Sequence, residues 1–490
     1  MLVDWLAVVL TSLSLEMIVD NFLLPRFLIL ELVFACHYFE YAKAVNVFCD
    51  ASESGDSCKD SPFPAGDVEV KDVPKKTVDQ FESLRSENAD LLEKLAVNSS
   101  GSQHLQYRNK NICKFSLTKQ RWKFPPLLFD AKDNPILPLD DPNNKDMVVE
   151  IDGEEKVTVF CPGKKVNNSP DDRVVVSCRG GRQFYLGEKL LDIDQLGCLG
   201  NPAEAEIIEE EGSRCGPGGE GSLSQIGFKL NEKRMFPVIT VCHSSSREVT
   251  YYTNHTLYGK FLHYKSIYEK SANFNYREGR LYFQSISAND AYRQVKQKRM
   301  FSSLVAPGHK ITEVYNPNDG LFLARSHLAP KADLLYTDWQ EASYLFSNIV
   351  PQWQRINHNN WRHVEEGVRS AARRRGVTFQ VVTGVVGVLE INNKEVWLAE
   401  DNIPVPEYLW KLVVDTKTGE SIVFVTINDP NISQPKDFCP NICEAVGWKR
   451  PLKYRTEVRK GFTVCCSTQE FRKRLPWLPN WESSQQVLHF

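Results

Sequence analysis

The sequence predicts an α+β protein, with a β-rich, disulfide-containing part followed by a larger domain built on a central antiparallel sheet. Three observations lead there. Short β-branched runs separated by Gly, Asn and Asp turns occupy residues 110–239. Two hairpin signals and one amphipathic helical repeat follow within residues 240–490. No strand–helix alternation at βαβ spacing appears, which argues against a parallel doubly wound sheet. At 490 residues, 42% hydrophobic and 11% aromatic, the chain exceeds one ordinary domain and can bury sizeable cores.

Residues 1–44 read as a signal-peptide-like leader. Asp4 and Glu16 interrupt the first apolar run, and Pro25, Arg26 and Glu31 the second, so neither suits a spanning helix and no stable membrane insertion is expected. The second run ends at Ala42-Lys43-Ala44, a small-x-small pattern that signal peptidase cuts, and Met17 offers a start of conventional length. Cleavage after Ala44 removes only Cys36 of the 13 cysteines, leaving an even set. An even set fits structural disulfides in a secreted protein, with the pairing open. Cys439, Cys443, Cys465 and Cys466 fit a zinc site poorly, because adjacent cysteines point apart. Sequons at Asn98, Asn167, Asn254 and Asn431 are compatible with a glycoprotein.

Residues 45–109 read as a flexible segment carrying one amphipathic helix, with Phe81, Leu84, Leu91 and Leu95 at helical spacing. In the β-rich domain at 110–239, Met147–Ile151, Lys156–Cys161 and Arg173–Cys178 are the clearest strands, and Cys113, Cys161, Cys178, Cys198 and Cys215 are its staples. The acidic, Gly-containing run Glu204–Gly221 reads as an exposed loop. Beyond it, Asn392-Asn393 and Lys417-Thr418-Gly419 mark hairpins. Asn360–Arg375 reads as a helix with Val364 and Val368 inward and Arg362, Arg369 and Arg373 outward. Charge is uneven: 32 Lys and Arg against 24 Asp and Glu from Val241 onward, and 27 against 38 before it. A polyanion-binding surface therefore belongs in the C-terminal half.

The chemistry concentrates in Leu323–Arg375. Ala324-Arg325-Ser326-His327-Leu328-Ala329-Pro330 opens it, Ser347-Asn348-Ile349-Val350-Pro351-Gln352 follows, and Asn357, Trp361, Glu365 and Arg369 come at spacings of four. A histidine base, an amide, a carboxylate and several arginines are what metal-assisted phosphodiester hydrolysis needs. An extended Arg325–His327 puts Arg325 and His327 on one face and Ser326 on the other. The bland readings are a core or surface histidine at 327, a helix N-cap at Asn357, an i,i+4 surface pair at Glu365 and Arg369, and a core tryptophan at 361.

These motifs resemble the DNA/RNA non-specific endonucleases of the ββα-metal, or His-Me finger, fold, most closely the secreted insect double-stranded ribonucleases. The family's Arg-Gly-His falls on Arg325-Ser326-His327, its Ser-Asn-x-x-Pro-Gln on Ser347–Gln352, and its Asn-x3-Trp-x3-Glu on Asn357, Trp361 and Glu365. The resemblance spans roughly residues 240–479 and assigns that region the endonuclease domain, 240–490. It implies His327 as general base and Asn357 as the direct ligand of a hydrated Mg²⁺, with Mn²⁺ able to substitute. It implies Glu365 as holder of the metal's waters and Arg325 and Arg369 at the scissile phosphate. Asn348 and Gln352 would shape the substrate site, and Arg280 and Arg373 would contact substrate, Arg280 from an upstream strand. RNA, including double-stranded RNA, and DNA are the implied partners through their phosphate backbones, with 5′-phosphate products. Ser326 in place of glycine is the main departure. Its side chain is expected to point away from substrate and find a hydrogen-bond partner. The rival reading is a catalytically weakened nucleic-acid-binding protein on the same fold.

Overall fold

Apolar alternation becomes three antiparallel sheets and three two-stranded hairpins in the computed structural model. It describes residues 112–490, except 118–120, 142–145, 154, 202–203, 232–233, 262–273, 282–286, 449–456 and 482. The leader, the segment 45–109 with its amphipathic helix, Asn98, Cys36, Cys49 and Cys58 lie outside the described residues.

The first eight strands are β1 (Cys113–Ser116), β2 (Leu127–Phe129), β3 (Leu139–Asp141), β4 (Asp146–Ile151), β5 (Lys156–Phe160), β6 (Arg173–Gly180), β7 (Gln183–Leu186) and β8 (Lys189–Asp192). They form a three-stranded sheet, β1-β4-β3, and a five-stranded one, β2-β5-β6-β7-β8. Phe115, Val149, Val157, Val176 and Phe184 fill the core these strands share. Cys113–Cys178 and Cys161–Cys198 staple it.

Four further strands follow: β9 (Glu206–Cys215), β10 (Gly221–Lys229), β11 (Met235–Ser244) and β12 (Val249–Tyr258). A separate hairpin is made by β13 (Leu323–His327) and β14 (Ile349–Trp353). Later come β15 (Thr378–Val386), the small hairpins β16 (Glu390–Ile391) with β17 (Lys394–Glu395) and β18 (Trp397–Leu398) with β19 (Ile403–Pro404), then β20 (Tyr408–Asp415), β21 (Ser421–Ile427) and β22 (Thr463–Cys466). The dominant sheet has eight antiparallel strands in the order β22-β21-β20-β15-β12-β11-β10-β9.

That order corrects two expectations. Glu206–Cys215 is strand β9 rather than a loop: it pairs with β10 at the edge of the sheet, where Glu206, Glu209 and Glu211 stay exposed. The division at 239/240 falls inside β11, and strands from both sides of it share one sheet. Cys215 accordingly pairs with Cys242 of β11, and Cys439–Cys466 and Cys443–Cys465 take up the four cysteines weighed as a zinc site. Both hairpin signals hold. Asn392 and Asn393, at φ 53° and 60°, turn β16 into β17, and Lys417–Gly419 joins β20 to β21. Asn254 sits within β12, half-buried in the sheet, whereas Asn431 is exposed.

Helices are few: α1 (Gln294–Leu304), α2 (Thr337–Ala342), α3 (Arg362–Arg375) and α4 (Thr468–Arg474) are the longest described. Alternation along the central strands gives the sheet two apolar faces. Leu257, Phe379, Val381, Val413 and Phe424 meet Val364, Val368, Ala371 and Ala372 of α3. Val382, Trp410, Leu412, Val423 and Val425 point the other way, toward Phe471 of α4. The β13–β14 hairpin running into α3 is the ββα unit that the resemblance implies.

Gly367 sets how closely α3 approaches its neighbours, since a Cβ there would lie 2.1 Å from the Trp448 ring. Gly367→Val is therefore expected to destabilise the protein by roughly 1–3 kcal/mol through overpacking. Thermal unfolding checks this; an unchanged midpoint would mean Trp448 moves aside freely.

Candidate active site

The register of the hairpin decides which side chains face which way. Arg325 lies opposite Pro351, Ser326 opposite Val350 and His327 opposite Ile349. Ser326 is buried and donates through Oγ to Gln352 Oε1 at 2.7 Å; the same Oγ is 3.4 Å from Asn357 Oδ1. The expectation that Ser326 finds a partner holds, but its side chain faces the metal-ligand candidate rather than away from the site. Just past His327 the chain is clamped by Asn348. Its Oδ1 accepts from Ala329 N–H at 2.8 Å, and its Nδ2 donates to the carbonyls of Ala329 and Ser343 at 3.0 and 2.8 Å. Asn348 and Gln352 are both fully buried. In this structure they have no surface to offer a substrate and instead fix the backbone and Ser326 from behind.

The helical run begins earlier than residue 360. One α turn at Gln354–Ile356 leads into a π turn at Asn357–Trp361 and then α3. Asn357 has helical angles, φ −54° and ψ −45°, so the N-cap reading does not apply. A π turn inside a helix often marks a functional site. At about 100° per residue, eight α-helical residues would leave Asn357 and Glu365 about 80° apart around the axis. The wider π turn advances only about 80° per residue over five of them and brings the pair close to one face. Trp361 is fully buried, as its core reading requires.

Arg369 corrects the outward placement. Its Nη1 donates to Asp333 Oδ1 at 2.7 Å, and Asp333 Oδ2 lies 2.9 Å from His255 Nε2. Lys411, fully buried, donates to Thr383 Oγ1 at 2.5 Å and lies 5.4 Å from the Trp361 ring centroid. His255, Thr383 and Lys411 occupy the α3-facing positions of β12, β15 and β20, in phase with Leu257, Val381 and Val413. Burial alone would raise Asp333, but Arg369, the His255 hydrogen bond and Lys411 hold its carboxyl well below the usual carboxylate range. Burial pushes Glu365 up to about 7 against the pull of Arg369 and Lys411. Burial pushes Lys411 down, opposed by Glu365 and Asp333. Sequence reading missed Asp333, His255 and Lys411. The available signal was Lys411, the lone charge in the apolar run Leu409–Val414.

On the opposite face of β13, the His327 ring lies 4.9 Å from Tyr344 and 5.8 Å from Tyr276, and its buried Nε2 has no hydrogen-bond partner. Burial, aided by Lys331, lowers its pKa to about 4. Arg325 stacks near Tyr292 and Tyr276, at 5.0 and 5.2 Å. Its Nη2 donates to the backbone and side-chain oxygens of Asn289, at 2.9 and 2.8 Å, and its Nε has no partner. Among the described residues, no hydrogen bond or ring contact joins His327 to Asn357, Glu365 or Arg369. Arg280 is exposed in an irregular segment rather than on a strand, which corrects that expectation. Arg373 is exposed in the last turn of α3, while Arg375 pairs with Glu420 at 3.2 Å.

A hard cation fits the Asn357 side of this arrangement. Asn357 is half-exposed, Ser326 commits its one proton to the nearer Gln352, and the two atoms that face each other there, Ser326 Oγ and Asn357 Oδ1, are oxygens. No helix among the described residues is long and apolar enough to cross a membrane.

Known proteins share much of this chain. A salivary endonuclease of Lutzomyia longipalpis is 29% identical over 65% of this chain and 73% of its own length. Salivary protein Tsal2A of Glossina morsitans morsitans is 27% identical, over 66% and 84%. A salivary endonuclease of Culex quinquefasciatus is 24% identical, over 67% and 88%. A solved EndoG/EndoGI complex aligns over 40% of this chain and 74% of that one, at 16% identity and a TM-score of 0.27, too low to bear on the fold. The family model for DNA/RNA non-specific endonucleases matches residues 219–471, more than half of the chain, and with the motifs it encloses this places the protein in that family.

Proposed function

We propose that the protein is a secreted, Mg²⁺-dependent endonuclease that hydrolyses phosphodiester bonds in RNA, including double-stranded RNA, and in DNA. The observation that carries this is the unpartnered Nε2 of His327, on an imidazole that burial keeps neutral, at the end of β13, whose partner strand β14 leads into the Asn357 helix. A neutral imidazole with a free nitrogen can take a proton from an attacking water. Arg325 and Arg369 supply the cationic forks that hold phosphate oxygens. Glu365 accepts hydrogen bonds from water in the site, a supporting role. A hydrated Mg²⁺ on Asn357, or Mn²⁺ in its place, would stabilise charge on the leaving oxygen. Contacts of this kind read phosphate and not base, which accounts for sugar and sequence tolerance. Secretion rests on the leader pattern, the five disulfides among the described residues and the salivary relatives.

Purified full chain incubated with duplex RNA and with plasmid, with Mg²⁺ and with chelator, tests the proposal. Cleavage of both only with Mg²⁺, leaving 5′-phosphates, is the expected result; no cleavage of either from neutral to alkaline pH rejects it. One observation favours the catalytically weakened binder instead: His327 and Asn357 face opposite sides of β13. That reading gains if binding persists in chelator, falls steeply with salt and is never followed by turnover.

A further inference from the structure

Ser326, Gln352 and Asn357 place three oxygens in sequence, Gln352 Oε1 to Ser326 Oγ at 2.7 Å and Ser326 Oγ to Asn357 Oδ1 at 3.4 Å. A serine hydroxyl has one proton. The short contact takes it, so the Ser326 lone pairs are left facing Asn357 Oδ1 with no proton between the two oxygens. Gln352 adds an independent sign of an incomplete polar group: it is fully buried, and its Nε2 has no hydrogen-bond partner. Ser326 stands on a strand with ordinary extended geometry, and its hydroxyl is held from behind by a residue of the neighbouring strand.

We propose that Ser326, backed by Gln352, is a positioning residue that orients the Asn357 side-chain oxygen and strengthens its hold on a divalent cation. This rests on the reading of Asn357 as the cation's protein ligand. The oxygen end of the Ser326 hydroxyl adds negative potential beside Asn357 Oδ1. That potential is unfavourable with nothing bound and favourable once a hard cation sits there, so its effect falls on cation affinity.

Mn²⁺ binding to the full-length protein, followed by electron paramagnetic resonance without nucleic acid, tests this independently of turnover. Wild type, Asn357→Ala, Ser326→Ala and Ser326→Gly are compared, with thermal midpoints of the metal-free proteins measured alongside. The expected result is a Kd about three- to tenfold weaker in both Ser326 variants, equivalent to under about 1.4 kcal/mol, with midpoints close to wild type and binding lost in Asn357→Ala. Unchanged Kd in the Ser326 variants, with binding still lost in Asn357→Ala, overturns the role of Ser326 and leaves the ligand reading standing. Tighter binding in Ser326→Ala also overturns it, since the hydroxyl would then be donating to Asn357 and competing with the cation. No specific Mn²⁺ binding by wild type removes the ligand reading, and this inference with it.

Discussion

His327→Ala is expected to lose about 10²–10⁴-fold in turnover, and more if the base and the cation work as one unit. Folding and nucleic-acid affinity should change little, because the imidazole makes ring contacts with Tyr276 and Tyr344 but no hydrogen bond that the fold depends on. The pH profile gives a second handle. Burial and Lys331 lower the His327 pKa to about 4, so the base form is already populated at neutral pH. The acid limb of kcat/KM for the free enzyme should therefore lie well below the ordinary histidine value near 6.5. Single-turnover cleavage by wild type and variant measures the first effect, and the same assay across pH the second. Near wild-type turnover in the variant would remove His327 from the site.

Asp333→Ala carries the largest expected effect on stability. Asp333 is buried between Arg369 and His255, with Lys411 close by, and its removal strands a half-buried guanidinium. Breaking a buried pair from one side costs about 3–5 kcal/mol. Chemical denaturation with wild type alongside measures it; a loss under about 1 kcal/mol would mean that water or Glu365 compensates Arg369. The pH dependence follows from the direction of each shift. Asp333 is depressed in the folded state, so its contribution is present above its unfolded value and is lost only as pH falls through the lower folded one. His243 and His255 are also depressed, in both cases chiefly by burial, His243 to about 4. Their contribution is full above 6.5 and declines as pH falls below it. Among these groups, acid destabilisation should thus begin with the histidines, below pH 6.5, before Asp333 is protonated.

What was legible in the sequence was local. Asn392-Asn393 needed only the chemistry of a tight turn, and the Arg-x-His and Asn-x3-Trp-x3-Glu spacings needed only neighbours along the chain. The division at 240 failed because sheet pairing is not local: Tyr252 of β12 pairs with Gly384 of β15, across a long stretch of intervening sequence. Arg369 was misplaced for a related reason. Helical periodicity assigns charged residues to the solvent face, and only the fold could show that Asp333, 36 residues away, waits beneath it. The polar cluster drew on three further strands, with His255 and Asp333 separated by 78 residues. The π turn at Asn357 left no composition signal, although it changes the angle around the helix axis between Asn357 and Glu365.

The most direct measurement of the central claim is a metal titration of plasmid cleavage. The full chain is stripped with chelator, and nicking of supercoiled DNA is followed as Mg²⁺ is returned, with Asn357→Ala in parallel. A working site gives no cleavage in chelator, saturable recovery with Mg²⁺ in wild type, and little recovery in Asn357→Ala. Cleavage that ignores the chelator, or DNA that stays intact at every Mg²⁺ concentration, would contradict a metal-dependent nuclease built on this hairpin and helix.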